Sequence, residues 1–208
     1  MTSRSTMLRR TALTTAVTGA AAALVIAGAP AASAAPIGVG WDVNVTTTVK
    51  KLNQEIAFPQ TRFPAQVDIF GDGSISGNLA LPDATSTLKL GSLPLAKVTL
   101  GVVPTKPVSG KLTGLDVVAN QEFNIHIKKI QPLGLPINLV GSNCKTATPV
   151  QSQLTGTLTG LFDPYTLKGE YTIPKFKNCG LSTPLINLLI PGEGNTMTAN
   201  FSGFQIGG

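Results

Sequence analysis

The sequence predicts an all-β fold, an antiparallel β-sandwich or barrel with one short helix near the C-terminal end. After residue 34, polar and apolar residues alternate over short runs, and Gly, Pro, Asn and Asp separate these runs. Alternation with a period of two is typical of half-buried strands. Short strands at this spacing, rich in β-branched residues, favour antiparallel sheets over βαβ units.

Two runs show the alternation best. The run 41–49 places Trp41 and three valines on one face, and the run 123–130 does the same with Phe123 and two isoleucines. Gly71-Asp72-Gly73 lies between two further runs and predicts a tight hairpin turn rather than a calcium loop, because the remaining oxygen ligands of a calcium motif are missing. The other strand candidates are 66–70, 74–81, 86–90, 95–103, 111–118, 137–140, 150–161, 166–173 and 196–204.

The segment 181–190 departs from this alternation and predicts the short helix. Thr183 is suited to cap it, Pro184 fits its first position, and Pro191 ends it. Two roles stay open for this apolar segment. It either plugs one end of the sheet as part of the core, or it forms a lid that faces a lipid or a ligand.

The first 34 residues have the features of a secretory signal peptide. Three arginines occur among the first ten residues, the stretch 12–29 is apolar, and Ala32-Ser33-Ala34 is a small-x-small cleavage signal. The apolar stretch is followed at once by Pro30 and small residues, which argues against a retained membrane anchor. We therefore expect cleavage after Ala34, a single secreted β-rich domain over 35–208 with no transmembrane span, and a location outside the cell or in the cell envelope.

The charge of the exported chain argues against nucleic acid as a partner. The leader carries three of the 16 basic residues and none of the ten acidic ones, so cleavage lowers the formal charge from +6 to +3. The remaining lysines are scattered and form no dense basic face.

The export route is not decided, because adjacent arginines at positions 9 and 10 occur in both twin-arginine and Sec leaders.

The two cysteines predict a structural disulfide. Cys144 and Cys179 are the only cysteines, and export places them in an oxidising compartment. A metal site would need further Cys or His ligands nearby, and a redox pair would have a closer spacing. We expect the bond to join the strand candidate 137–140 to the loop that enters the short helix.

The sequence contains no convincing catalytic, metal or cofactor site. His126 is the only histidine, no Gly-x-Ser-x-Gly motif nominates a nucleophile, and no glycine-rich phosphate loop leads from a strand into a helix. We therefore expect a non-enzymatic protein that binds an apolar ligand such as a lipid, a cell-wall component or a protein partner. The alternative is an envelope hydrolase that uses His126 or a pair of carboxylates.

The C-terminal half resembles a group of secreted actinobacterial proteins of unknown function. The resemblance rests on PLGLPINLVGSNC at 132–144, YTIPKFKNCG at 171–180 and PGEGNT at 191–196, and it extends back through 77–82 and 92–96. It implies an exported β-domain in which the two cysteines form a matched pair. It implies no substrate, cofactor or catalytic residue.

Overall fold

Antiparallel strands make up most of the computed structural model, which describes residues 35–90 and 92–207. The predicted leader, 1–34, lies outside the described residues and stays a prediction. The strands are β1 (Ile37–Val49), β2 (Gln54–Ala57), β3 (Thr61–Val67), β4 (Ser74–Gly77), β5 (Ala84–Leu90), β6 (Leu93–Pro104), β7 (Val108–Thr113), β8 (Asp116–Pro132), β9 (Lys145–Thr146), β10 (Val150–Thr157), β11 (Tyr165–Ile173), β12 (Phe176–Lys177) and β13 (Gly192–Ile206). Helix α1 spans Thr183–Leu189, and short 3₁₀ helices occupy Lys50–Leu52 and Gly180–Ser182.

The predicted fold class is confirmed. Every strand pairing of the described residues is antiparallel, and α1 lies near the C-terminal end. The hairpin predicted at Gly71-Asp72-Gly73 joins β3 to β4, with Val67 opposite Ile75. Within the described part of the chain, no helix is both long enough and apolar enough to cross a membrane.

Eight strands close into a ring. Successive neighbours are β10, β11, β13, β1, β3, β4, β7 and β8, and β8 in turn pairs with β10. The closure is visible at Val118 of β8, which lies opposite Lys111 of β7 on one side and Thr155 of β10 on the other. The sequence predicts either a sandwich or a barrel. Over this part of the molecule, the sheet is barrel-like.

The far half of β8 leaves the ring and forms a second group of strands. From Phe123 to Pro132 it pairs with β6, which carries β5 on its other edge, and His126 lies opposite Lys145 of β9. The far half of β1 similarly pairs with β2. β1 and β8 therefore each contribute to two regions of the sheet, and the interior continues from one region to the other.

The side chains of β1 that face the interior are those that the alternation predicts. Trp41, Val43, Val45 and Val49 are all buried, as their shared face predicts. Thr47 occupies the one polar position in that series and is buried as well. A hydroxyl at an inward position needs a hydrogen-bond partner, because burying it without one costs about 1–3 kcal/mol.

Gly77 and Gly110, each the first residue of a Gly-x-Leu sequence, lie where backbones approach closely. A β-carbon on Gly77 would meet the Pro64 carbonyl oxygen at 2.6 Å, and one on Gly110 would meet the Val118 carbonyl oxygen at 2.8 Å. Any larger residue would push neighbouring strands apart at these points. The lack of a side chain at Gly77 and Gly110 thus permits the close approach of strands around the ring.

One predicted strand is wrong because a turn interrupts it. The alternation over 111–118 predicts a single strand, but β7 ends at Thr113 and β8 begins at Asp116. Gly114 between them has a φ of 62°, which favours glycine and permits the tight turn. The two halves then pair with each other, with Lys111 opposite Val118.

The predicted strand at 137–140 is also wrong. The side chain of Asn138 takes the place of a backbone ladder there: its Oδ1 accepts from the Ile130 amide at 3.0 Å, and its Nδ2 donates to the Lys128 carbonyl at 3.3 Å. The segment therefore runs beside the end of β8 without pairing along its length. The cysteine bridge consequently ties an irregular segment, not a strand, to the loop before α1.

The predicted pairing of Cys144 and Cys179 is confirmed. The two residues form a disulfide with their Cα atoms 4.3 Å apart, and both side chains are fully buried. The bond closes a loop of 35 residues and anchors the segment before α1 to the segment that follows β8. It thereby fixes the position of the helix at one end of the sheet.

Candidate functional site

A small apolar cavity lies inside the ring of eight strands. We call it the ring chamber; its volume is about 70 Å³. An aromatic cluster forms much of its wall, because Tyr165 and Phe201 stack with ring centres 4.6 Å apart and Trp41 meets both edge-on. Phe63 completes the cluster from β3. These rings bury large apolar area and leave few polar atoms in the wall.

A second cavity of the same size lies between the far halves of β1 and β8. We call it the flank chamber; its volume is also about 70 Å³. Its wall includes Ile56 from β2, Leu88 from β5, Ile127 from β8 and Phe176 from β12, together with Ile190 at the end of α1. The chamber is therefore enclosed by the second group of strands and by the end of the helix.

Three side chains belong to the walls of both chambers, and we call them the partition. Val102, Phe123 and Met197 line both cavities. Phe123 is only 2% exposed and its ring centre lies 6.4 Å from that of Tyr171. Met197 has three rotatable bonds, which makes it an adaptable wall element.

The few polar groups at the chamber walls are mostly paired. In the flank chamber, Thr47 Oγ1 lies 2.6 Å from the Tyr171 hydroxyl and 2.8 Å from the Thr196 carbonyl oxygen. Trp41 lines the ring chamber and also a smaller cavity beside it, and its indole N–H is buried and has no partner among the described residues. Burial raises the pKa of Tyr165 well above its usual range, so this phenol is neutral at physiological pH.

The helix segment 181–190 contributes both to the core and to the surface. Ile186 is buried and Ile190 lines the flank chamber, so the inner side of the segment closes that chamber. Leu181, Leu185 and Leu188 are exposed on its outer side. The inner side of the segment is thus part of the core, and its predicted role as a lid stays a prediction.

His126 lies in a positively charged part of the surface. Partial burial lowers its pKa, and the nearby Lys145 and Lys128 lower it further. No hydrogen bond of the described residues joins its ring to a carboxylate, as a general base would need for orientation. Lys128 itself pairs with Asp83 at 2.7 Å.

Two carboxylates do line one polar cleft. Glu122 and Glu170 contribute to the wall of an open cleft of about 500 Å³ on the outside of the sheet. Glu122 accepts hydrogen bonds of 2.8 Å from both Lys106 and Thr105, and these bonds hold its pKa below the usual value. A carboxylate held ionised in this way is a poor proton donor. Among the described residues, no three His, Cys, Asp or Glu side chains are grouped to hold a metal ion.

The chamber walls were not among the sequence predictions. One signal was present, since Thr47 falls at an inward position of β1 between apolar residues and so calls for a buried partner such as Tyr171. The partition by Phe123 and Met197 had no comparable signal, because it depends on which strands close the ring.

Comparison of the chain with protein-family models, with curated proteins and with solved structures finds no match.

Proposed function

We propose that this protein is a non-enzymatic binding protein of the cell exterior or envelope that holds a linear apolar chain in its two chambers. The observation that carries the proposal is the pair of apolar cavities inside the sheet whose walls share three side chains. Ligand pockets of this kind are concave, largely preformed and mostly apolar. The predicted leader and the buried disulfide support export of the chain.

The size and arrangement of the chambers favour a slender ligand. An apolar cavity of about 150 Å³ accepts a benzene molecule. Each chamber has roughly half of that volume, and the two lie in series. Neither chamber therefore admits a compact ring system. Together they amount to about 140 Å³, so a bound alkyl or acyl chain would enter end-on and displace adaptable wall side chains such as Met197. Such a chain satisfies the apolar walls without leaving polar groups unpaired.

The unpaired indole of Trp41 favours a ligand that carries an oxygen acceptor. Its N–H has no partner in the described chain, and a buried unpaired donor costs about 1–3 kcal/mol. A carboxyl, ester or hydroxyl oxygen near the ring chamber would remove this cost. We therefore propose an acyl chain rather than a plain hydrocarbon as the occupant.

The first test is direct detection of a bound molecule. Native mass spectrometry of the protein purified from its own culture medium is expected to show a mass excess that is lost on denaturation. In parallel, the emptied protein is titrated with cis-parinaric acid, a fluorescent acyl chain. Trp41 is the only tryptophan and lines the ring chamber, so saturable energy transfer from its emission to the probe is expected. Absence of both signals contradicts the proposal.

Two variants locate the bound chain. Ala199→Phe fills the ring chamber from β13, where Ala199 is buried, and is expected to abolish probe binding. Ala57→Phe adds the same atoms at an exposed position of β2 and is its matched control. Overpacking costs about 1–3 kcal/mol, so circular dichroism must show that Ala199→Phe is folded.

A milder variant keeps the test decisive if Ala199→Phe does not fold. Met197→Phe replaces a flexible partition side chain by a rigid one of similar volume. It is expected to weaken binding of cis-parinaric acid, whose chain has to pass the partition. Unchanged binding by the folded variant would argue against a chain that crosses the partition.

A further inference from the structure

Exposed apolar side chains are concentrated at one end of the molecule. We call this region, residues 133–143 and 179–190, the disulfide end. Eight of the 16 large apolar side chains that the described part of the structure leaves exposed lie here, four on 133–139 and four on 181–189. Leu181 is fully exposed and Leu188 is 70% exposed. Such a concentration of exposed apolar area marks an interaction surface.

The two segments of the disulfide end are held together as one surface. The Ser182 hydroxyl donates to the Leu139 carbonyl at 2.7 Å, and the Leu139 amide donates to the Ile130 carbonyl at 2.9 Å. The disulfide joins the same two segments a few residues away. The leucines are therefore presented on a fixed scaffold and need little ordering when they bind.

Uncompensated positive charge borders this apolar surface. Lys145 of β9 and Lys177 of β12 lie directly opposite each other. Lys145 directly follows Cys144, and Lys177 lies two residues before Cys179. Like charges directly opposite on paired strands are destabilising. The stretches 123–162 and 171–192 contain five lysines and no Asp or Glu. Of these lysines, only Lys128 belongs to an ion pair recorded among the described residues.

We propose that the disulfide end docks on an anionic lipid membrane, with its leucines inserted among the acyl chains and its lysines on the lipid phosphates. Apolar insertion combined with basic side chains is the usual chemistry of reversible membrane binding. A second copy of this chain would bring its own lysines against Lys145 and Lys177, which the charge disfavours. The proposal does not depend on whether the chambers hold a ligand.

The disulfide end lies next to the flank chamber, which connects membrane docking with the apolar interior. Ile190 lines that chamber from the end of α1, while Leu185 and Leu188 of the same helix face outward. A membrane bound at the outer face would therefore lie one helix away from the apolar interior. The same short element would separate an acyl chain in the bilayer from one in the flank chamber.

The charge part of the proposal is tested with vesicles. The secreted protein is sedimented with vesicles made of equal parts of phosphatidylglycerol and phosphatidylcholine, and with phosphatidylcholine vesicles alone. Binding to the anionic vesicles, weakened by added salt, is the expected result. Lys145→Gln with Lys177→Gln is expected to weaken it about 30-fold, since each lysine near such a surface contributes about 1 kcal/mol.

A matched control removes the same charge at the opposite end. Lys111 and Lys168 lie at the level of Val118, about 26 Å along β8 from the level of Lys145. Lys111→Gln with Lys168→Gln is expected to leave vesicle binding within about 2-fold, because that distance exceeds the screening length. Equal effects of the two double variants would show that only net charge matters and would overturn a defined docking surface.

The apolar part is tested separately. Leu181→Ser with Leu188→Ser is expected to weaken binding at least tenfold, a loss of about 1.4 kcal/mol, while leaving the fold intact because both side chains are exposed. Leu115→Ser, at an exposed turn near the opposite end of β8, is the control. Unchanged binding of the double variant, or absence of wild-type binding to anionic vesicles, would overturn the proposal.

The experiments distinguish membrane docking from binding of a second copy or of a protein partner. They also distinguish it from the proposed acyl-chain binding in the chambers. A stable dimer in sedimentation that the leucine variants dissociate, or an acidic protein retained in place of vesicles, would assign the surface to a protein partner and reject membrane docking. Ala199→Phe is expected to bind vesicles like the wild type while it loses cis-parinaric acid. Failure of docking is thus distinguishable from failure of the proposed acyl-chain binding.

Discussion

Tyr171 donates its phenolic hydrogen to Thr47 in the wall of the flank chamber. The two oxygens lie 2.6 Å apart, and Thr47 has already given its own hydroxyl hydrogen to the Thr196 carbonyl at 2.8 Å. The bond joins β11 to β1 across the interior, although these strands are not neighbours in the ring. It is the reason that a threonine is tolerated at an inward position of β1.

Removal of this bond is expected to destabilise the protein. Tyr171→Phe keeps the ring but leaves the Thr47 oxygen without its donor, and the loss is expected to be about 1–2 kcal/mol in the free energy of unfolding by urea. The double variant with Thr47→Val removes both partners and should lose less than the two single variants together. Strict additivity would show that the two hydroxyls do not interact.

Stability is expected to fall in alkaline solution. Burial raises the pKa of both Tyr165 and Tyr171, and in the latter the Thr47 hydroxyl opposes part of the rise. Above the ordinary tyrosine pKa of about 10, the unfolded chain releases protons that the folded chain retains, so unfolding becomes more favourable as pH rises.

The alkaline loss is measurable by comparison with one variant. Between about pH 10 and pH 11, each buried tyrosine is expected to lower the unfolding free energy by up to about 1.4 kcal/mol. Tyr165→Phe removes one of the two contributions, so its stability should decline less steeply than that of the wild type in urea titrations. Parallel curves would indicate that Tyr165 titrates normally.

The partition between the chambers is expected to be a major source of stability. Phe123→Ala removes a ring that is 2% exposed and enlarges both cavities at once. A loss of about 3–5 kcal/mol is expected by chemical denaturation. Phe70→Ala is the same chemical change at a side chain that is 76% exposed, and it should cost no more than about 0.5 kcal/mol. Similar losses for both would contradict the burial of Phe123.

The disulfide is expected to be structural. Thiol titration of the unreduced protein should find no free thiol. Replacing Cys144 and Cys179 by Ala is expected to lower stability by about 3–4 kcal/mol, as the chain-entropy model gives for a loop of 35 residues. The far-ultraviolet circular dichroism spectrum should remain that of a β protein below the new melting temperature. Two titratable thiols per chain would contradict the bond.

Local patterns were sufficient for the fold class and for parts of single strands. The inward face of β1 could be predicted because Trp41, Val43, Val45 and Val49 share one face, interrupted only by Thr47, and all four are buried. The cysteine pair could be predicted because only one pairing exists. Each of these conclusions depends on residues close in sequence or on a count, and neither requires knowledge of how the strands are ordered.

Features that depend on distant partners could not be predicted. The run 111–118 alternates regularly, yet Gly114 divides it into two strands, since alternation continues through a tight turn. The residues around Asn138 are typical of a strand, but the side-chain amide of Asn138 forms hydrogen bonds with the end of β8 instead. The chambers require the ring to close between β8 and β10, and a single-strand pattern carries no information about that pairing.

The pairing of β1 with β13 has a kinetic consequence. Thr46 lies opposite Thr198, so these two strands meet across more than 150 intervening residues. Contacts so distant in the chain carry a large loop-closure entropy, and proteins dominated by such contacts fold in milliseconds to seconds rather than microseconds. The ring cannot close before β13 has been synthesised. Until then, β1 lacks one of its two neighbouring strands.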